Sequence, residues 1–333
     1  HKNSIPDIVV YINGLPLAII EAKSPKVSIT DAVSDLAYYQ ENSQKLFYYN
    51  QICVGMNKGK ALYGTIGSQF EHYSKYKLED LTELELLVER TATAQDILIY
   101  SLFKKEMLLD IIRNFTIFEI DQGRTIKKLP RYQQLRAVNK IVKRLKTENK
   151  GGVVWHTQGS GKSITMVYLA TKLRREEAGF DNPTILVVTD RIDLDNQISS
   201  TFRRTGFSNP IQAVSISNLK ELLKDSYGKT LMTTIHKFQE RAQQQKEEIE
   251  ILSDKSNVFV LIDEAHRSQY GMTAAYMRNS LPNAKFIAFT GTPIDKEEKS
   301  TLRTFYGGND YIDKYTIKQS VEDGNTLAIR YQT

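Results

Sequence analysis

The chain has 333 residues, 41% of them hydrophobic and 25% charged, with a formal net charge of +6. That length serves two or three globular domains and the composition excludes disorder as the default, while the modest basic excess suits a polyanionic partner without proving one. A single cysteine, Cys53, excludes an internal disulfide framework, and the five histidines show no zinc-site spacing. A reducing cytosol is therefore the expected compartment. No membrane span is expected, because Asn13, Gly14 and Pro16 interrupt the best apolar stretch well short of about 20 residues. The chain opens at His1 without a methionine or signal sequence and reads as a fragment.

Two strand patterns, Pro6 to Ile12 and Leu17 to Lys23, meet through Asn13-Gly14, a strong short hairpin signal. The hairpin carries Asp7 at one end and Glu21 and Lys23 at the other, and Glu21 and Lys23 share a face because strand side chains alternate. Two carboxylates beside one lysine can hold Mg²⁺ and steer a water toward a phosphodiester. A strict two-residue loop would pair Asp7 with Ile20 and turn Glu21 to the wrong face. A bulge or a three-residue loop is therefore predicted near Asn13 to Pro16. A solvated Glu-Ala-Lys on a surface hairpin is the alternative that this stretch alone leaves open.

Leu46 to Val54 and Lys60 to Thr65 read as further strands of the same sheet, turning at Asn57-Lys58-Gly59. From Leu78 to Phe115 the apolar spacing becomes helical, with one stripe through Leu81, Leu84, Leu87 and Val88 and another through Leu98, Leu102, Leu108, Ile111 and Ile112. Asp121-Gln122-Gly123 breaks that periodicity. The expected division is an N-terminal domain over 1–75, a helical connector over 76–124 and a second domain over 125–333.

In the second domain a β-branched run, Val153-Val154, leads into His156-Thr157-Gln158-Gly159-Ser160-Gly161-Lys162-Ser163 and then a helical pattern. Gly159 and Gly161 let backbone amides turn toward a polyphosphate, with Ser160 between them; Lys162 reaches the outer phosphates, and the Ser163 hydroxyl can ligate Mg²⁺. His156 stands where the usual spacing has its first glycine. Downstream, the buried-strand run Val258 to Ile262 ends in Asp263-Glu264-Ala265-His266, where one carboxylate can hold Mg²⁺ and its neighbour can activate water. Apolar strands at Thr184 to Thr189, Ile211 to Ser215, Thr230 to Ile235, Val258 to Asp263 and Lys285 to Thr290 alternate with helices. Such alternation implies a parallel sheet covered on both faces, with ligand loops at the strands' C-terminal ends.

The hairpin with Asp7, Glu21 and Lys23 resembles the Pro-Asp…(Asp/Glu)-x-Lys nuclease fold. The stretch Asp31 to Gln40 resembles the helix that follows this site in type I restriction enzyme motor subunits, the HsdR family. Tyr39 matches the tyrosine of that family's Gln-x-x-x-Tyr pattern, and Asp35 stands at the glutamine. Arg131-Tyr132-Gln133-Gln134, the phosphate loop, Asp263-Glu264-Ala265-His266 (a DEAH box) and Phe289-Thr290-Gly291-Thr292-Pro293 follow in the order of superfamily 2 helicase motifs.

The resemblance covers nearly the whole chain. It implies an α/β protein, a PD-(D/E)XK nuclease-like mixed sheet followed by a RecA-like parallel-sheet helicase domain. It also implies an endonuclease and DNA translocase that uses ATP and Mg²⁺ to translocate duplex DNA and cleave it remote from the recognition site, in complex with methylation and specificity subunits. Gln134 would read adenine, Lys162 bind the β- and γ-phosphates, Ser163 and Asp263 hold Mg²⁺ and Glu264 orient water. His266, Thr290 and Thr292 would couple nucleotide state to movement, and Arg191 and Thr234 would lie along the DNA backbone. An arginine finger comes from a second RecA-like domain in such motors, so this fragment is expected to bind ATP and hydrolyse it poorly. A translocase with an inactive, docking nuclease-like domain and a non-enzymatic nucleotide-dependent scaffold are the two other readings.

Overall fold

The computed structural model describes residues 4–121, 123–190, 192–205, 210–244, 249–263, 270–292 and 310–327. The chain divides into two units, His1–Tyr132 and Gln133–Thr333.

The first unit starts from β1 (Ile8–Ile12) and β2 (Leu15–Ala22), antiparallel strands joined by Asn13 and Gly14 at φ 49° and 79°. Both residues are left-handed, the pair of conformations a tight right-twisted hairpin requires. Ile12 pairs with Leu15, so the loop has two residues, but Tyr11 pairs with Pro16 and Val10 with Ala18. The extra residue, Leu17, is a bulge in β2. It shifts every later pair by one place, so that Ile8 faces Ile20. Asp7, a bend residue just ahead of β1, is joined to β2 through its Oδ2, which accepts the Ala22 N–H at 2.8 Å.

From β2 the chain crosses through α1 (Ile29–Asn42) and α2 (Gln44–Phe47) to β3 (Ile52–Asn57), parallel to β2, and turns back antiparallel as β4 (Lys60–Gly64). The sheet order is β1-β2-β3-β4. Ser28 caps α1, its hydroxyl accepting the Thr30 N–H. The expected strand from Leu46 begins only at Ile52. The residues before it form α2, because Phe47 is drawn into the core against Ile19, Val33, Leu36, Cys53 and Tyr73. Gly55 allows α1 to lie close on β3: a Cβ there would stand 3.2 Å from Val33 Cγ2 and 3.3 Å from Ala32 Cβ.

The helical stretch forms α3 (Thr82–Val88), α4 (Ala94–Leu102) and α5 (Lys105–Asp110), the last running into a π-helical turn at Ile111–Phe115. Thr93 and Asp96 close a capping box on α4, and Arg90 binds the Asp96 carboxylate at 2.7 and 3.0 Å. Two antiparallel strands, β5 (Ile117–Asp121) and β6 (Arg124–Lys128), flank the expected break. Lys127 ties them down, donating to Asn50 O at 2.7 Å and to Gln51 Oε1 at 2.6 Å, while the Tyr63 hydroxyl donates to Pro130 O at 2.6 Å. These bonds hold the hairpin and the segment after it on the first unit, which runs to Tyr132.

The second unit begins in α6 (Tyr132–Glu148) and builds a seven-stranded sheet. In chain order come β7 (Gly152–His156), α7 (Lys162–Leu173), β8 (Thr184–Thr189), α8 (Ile192–Arg204), β9 (Ile211–Gln212), α9 (Ile216–Lys224) and β10 (Thr230–Thr234). Then follow α10 (Ile235–Gln244), β11 (Val258–Asp263), α11 (Tyr270–Ser280), β12 (Lys285–Thr290), β13 (Asp313–Tyr315) and α12 (Ile317–Glu322).

The order is β13-β7-β12-β11-β8-β10-β9, and every registered pair is parallel. Strands β8, β10 and β11 are buried along their whole length, as a sheet covered on both faces requires. Strand β9 is shorter than expected because Ser215 instead caps α9, accepting the Asn218 N–H. Among the described residues no helix is long and apolar enough to cross a membrane.

Two consequences are measurable. Gly55→Val is expected to cost about 1–3 kcal/mol in urea unfolding, since α1 must lift from β3 to admit the side chain. Burial draws Lys127 down from 10.5 to about 8. The unfolded chain therefore holds more protons between those values, and the first unit gains stability as pH rises across that window. Lys127→Met is expected to remove this component of the stability profile.

Candidate active sites

In the first unit, β2 delivers Glu21 and Lys23 and the Leu17 bulge sets their face. Glu21 is 3% exposed, and its Oε1 accepts from Lys23 Nζ at 2.6 Å and from the Tyr39 hydroxyl at 3.4 Å. The same hydroxyl lies 3.3 Å from Ile5 O. Lys23 also pairs with Asp35, one turn ahead of Tyr39 on α1. Asp7 is exposed and its Oδ2 accepts the Ala22 N–H at 2.8 Å, which pins the two ends of the hairpin together.

Burial weakens the Lys23 ammonium, but hydrogen bonds to Asp35 and Glu21 outweigh it and raise its pKa well above the ordinary value. Tyr39 is raised as well, by burial and then by the charges of Glu21 and Asp35. Lys23 is thus a fixed cation and Tyr39 a neutral phenol. Glu21 Oε2 is buried with no hydrogen-bond partner among the described residues. A buried carboxylate oxygen left without a donor is costly, and a hard cation is a fitting occupant. No group of three or more His, Cys, Asp or Glu gathers as a metal site among the described residues. A Mg²⁺ here would rest on Asp7 and Glu21, with water and substrate oxygens completing its shell.

In the second unit, parallel strands put the candidate nucleotide-site residues at one edge of the sheet. His156 ends β7, the loop turns through Gly159 and Gly161 at φ 79° and 85°, and Lys162 opens α7. Any side chain at Gly161 would collide with the Gln134 amide, whose Nε2 donates toward Ser160 O at 3.3 Å and Gly161 O at 3.4 Å. Gln134, read from sequence as the adenine reader, here braces the loop backbone. Ser160 is fully buried, and its hydroxyl has no hydrogen-bond partner among the described residues.

Thr290 pairs with Trp155, and the Trp155 indole donates to Gly291 O at 3.2 Å. A Cβ on Gly291 would lie 3.4 Å from Lys162 Nζ, so the Thr290-Gly291-Thr292 turn sits beside the phosphate-loop lysine. The Thr292 N–H donates to Thr290 Oγ1 at 3.3 Å; Thr290 is buried and Thr292 exposed. Asp263, 5% exposed, ends β11 opposite Phe289, one strand from Thr290. Ser163 is half-buried in the first turn of α7. Thr234 is buried at the end of β10, paired with Thr189. Arg191, Glu264 and His266 lie outside the described residues.

Two groupings escaped sequence reasoning. Asp35 was noted only as a departure from a pattern, yet it shares Lys23 with Glu21. His156 was noted for the same reason. It is fully buried, with Nε2 2.8 Å from Asp313 Oδ2, and Arg136 clamps Asp313 from the other side at 2.8 and 2.9 Å. A histidine at a glycine position was the available signal. Its partner, 157 residues away, was not readable.

Residues 133–333 match the family model described as SWI2/SNF2 ATPase, and residues 1–72 match that of the type I restriction enzyme R protein N terminus. The HindI type I restriction enzyme endonuclease subunit of Haemophilus influenzae is 38% identical over 353 residues, covering 98% of this chain and 33% of that protein. The MjaIXP subunit of Methanocaldococcus jannaschii, assigned to the same class only provisionally, is 35% identical over 352 residues, covering 98% of this chain and 32% of that protein. The chain thus spans about a third of the length of these curated relatives. Among solved structures, a Sulfolobus solfataricus SWI2/SNF2 ATPase core in complex with dsDNA is 18% identical with a TM-score of 0.37, covering 51% of this chain and 34% of that one, a likeness too loose to bear on the sites. The ATPase model matches well over half of the chain and shows that it belongs to the SWI2/SNF2 ATPase family, with residues 1–72 ahead of that ATPase similar to the N terminus of a type I restriction enzyme R protein.

Proposed function

We propose that this chain supplies the cutting site and the first half of the motor of a type I restriction enzyme endonuclease subunit. ATP drives duplex DNA past the complex, and the first unit cuts it remote from the recognition site. Methylation and specificity subunits complete the assembly, in the bacterial or archaeal cytosol this reading implies. The domain roles are those expected from sequence, nuclease over 1–75, connector over 76–124 and motor over 125–333. The observation that supports the reading is the buried Glu21 carboxylate, with Lys23 on Oε1, no hydrogen-bond partner on Oε2 among the described residues, and Asp7 held on the N–H of the next residue, Ala22. A SWI2/SNF2 motor alone has no need of that arrangement.

In the nuclease unit, Asp7 and Glu21 would hold Mg²⁺. When bound, the metal polarises the scissile phosphate and lowers the pKa of an attacking water. Lys23 stays protonated, so it serves as a charge stabiliser and not as a base. Tyr39 keeps its proton and orients Glu21. In the motor, Lys162 would bind the outer phosphates, Gly159, Ser160 and Gly161 cradle them, and Ser163 and Asp263 hold the second Mg²⁺. Gln134 would meet adenine from its place on the loop, and Glu264 orient the attacking water. His266, Thr290 and Thr292 would pass nucleotide state onward, and Arg191 and Thr234 contact phosphates of the DNA without reading bases.

One observation favours a second reading, a translocase whose first unit only docks. Among the described residues Lys23 is already shared between two carboxylates and no third metal-ligating side chain gathers there. Two substitutions in the assembled complex separate the readings. Lys162→Ala is expected to lower ATP turnover by about 100-fold or more, in line with removing one preorganised charge donor; unchanged turnover would refute the motor. Glu21→Gln is expected to abolish double-strand cutting while ATP turnover and translocation persist. Cutting at the wild-type rate would leave the docking reading standing.

A further inference from the structure

The buried cluster around Asp313 lies beside the phosphate loop and has no part in the assignments above. Asp313, on β13, has a fully buried side chain and receives Arg136 Nε on Oδ1 at 2.8 Å, Arg136 Nη2 on Oδ2 at 2.9 Å and Lys140 Nζ at 3.1 Å. Arg136 Nη2 also donates to Lys314 O at 2.8 Å. A carboxylate so enclosed by cations accepts hydrogen bonds and donates none. Burial, opposed by Asp313 and reinforced by Arg136 and Lys162, holds the His156 ring neutral. A neutral ring facing an ionised carboxylate must carry its proton on Nε2, and that atom is 2.8 Å from Asp313 Oδ2. Nδ1 is left buried with no hydrogen-bond partner among the described residues. An apolar side chain would fill this space without an orphaned nitrogen, so packing alone does not account for the imidazole.

The same strand grips the loop at two further points. Thr157 N donates to Tyr315 O at 3.0 Å, and the His156 and Tyr315 rings meet edge to face at 5.8 Å. Past α12 the chain returns: Asn325 donates to the Tyr315 hydroxyl at 2.8 Å, and Thr326 Oγ1 lies 3.6 Å from where a Gly159 Cβ would stand. Arg136 lies two residues after Gln134, which itself braces Ser160 and Gly161. The loop is thus tied to β13 at its first residue and to α6 through both Gln134 and the Arg136–Asp313 pair.

We propose that His156, held by Asp313 and Arg136, is a positioning residue for ATP turnover: it fixes where the phosphate loop begins and thereby where Lys162 and Ser163 stand against the phosphates. The inference rests on the motor reading and deepens it. The imidazole touches no reacting atom. It acts through the loop, and a loop displaced by a fraction of an ångström still binds nucleotide but misaligns the transferring phosphoryl group.

The test uses the intact subunit in its complex, with steady-state ATP hydrolysis measured for wild type, Lys162→Ala, His156→Ala and His156→Gln. His156→Ala is expected to lower kcat about 100-fold while KM stays within about threefold, the pattern of an interaction felt in the transition state. His156→Gln, whose Nε2–H can reach the same carboxylate, is expected to restore kcat to within about fivefold of wild type. Wild-type kcat in His156→Ala, a loss confined to KM, or equal losses in the Ala and Gln variants would each overturn the proposal. Unchanged hydrolysis in Lys162→Ala would instead bring down the motor reading itself, whatever the His156 variants do.

Discussion

A sheet whose strands all run one way has all its carboxyl ends at one edge, and the second unit is built on that constraint. Strands β7, β12, β11, β8 and β10 end in His156, Thr290, Asp263, Thr189 and Thr234, which come together although more than a hundred residues separate the first from Asp263. All five residues are buried, so this edge gathers polar groups inside the fold. The buried lengths of β8, β10 and β11 supply the rigidity against which a phosphate loop can be held still.

The first unit solves a different problem with one residue. Strand side chains alternate, so the number of residues between Asp7 and Glu21 decides whether two carboxylates share a face. Leu17 changes that number by one and α1 then closes over the result, near enough to β3 that Gly55 is the residue that fits. Asp35 and Tyr39, four residues apart on that helix, reach Lys23 and Glu21 together.

Features set by local rules were legible in the sequence. Asn13-Gly14 announced the hairpin, the polar residues at its ends demanded a bulge, and Gly159 and Gly161 before Lys162 announced the loop. The apolar runs at 184–189, 258–263 and 285–290 became strands with the bounds their composition implied. Features set by distant partners were not legible. Leu46 and Phe47 had the composition of a strand's start and became the end of a helix because Phe47 found a core. Residues 313–315 had no strand signal of their own and became β13 because β7 offered an open edge and Arg136 and His156 offered Asp313 its counter-charges. The β5–β6 hairpin looked like a linker until Lys127 found the backbone carbonyl of Asn50 and the side-chain amide oxygen of Gln51. Composition shows what a segment can do alone, and these segments are decided by what they meet.

The turn that begins the first unit also gives it a lifetime. Asn13 and Gly14 are both exposed, and Gly14 has no side chain to shield its amide nitrogen from the neighbouring carboxamide. Closure of that nitrogen on Asn13, with loss of ammonia and reopening as isoaspartate, adds a carbon to the main chain and a charge to the tip. The added length enters the one hairpin whose atom count decides which way Glu21 points. Chemical ageing at an outer loop thereby reaches a buried carboxylate that it never touches.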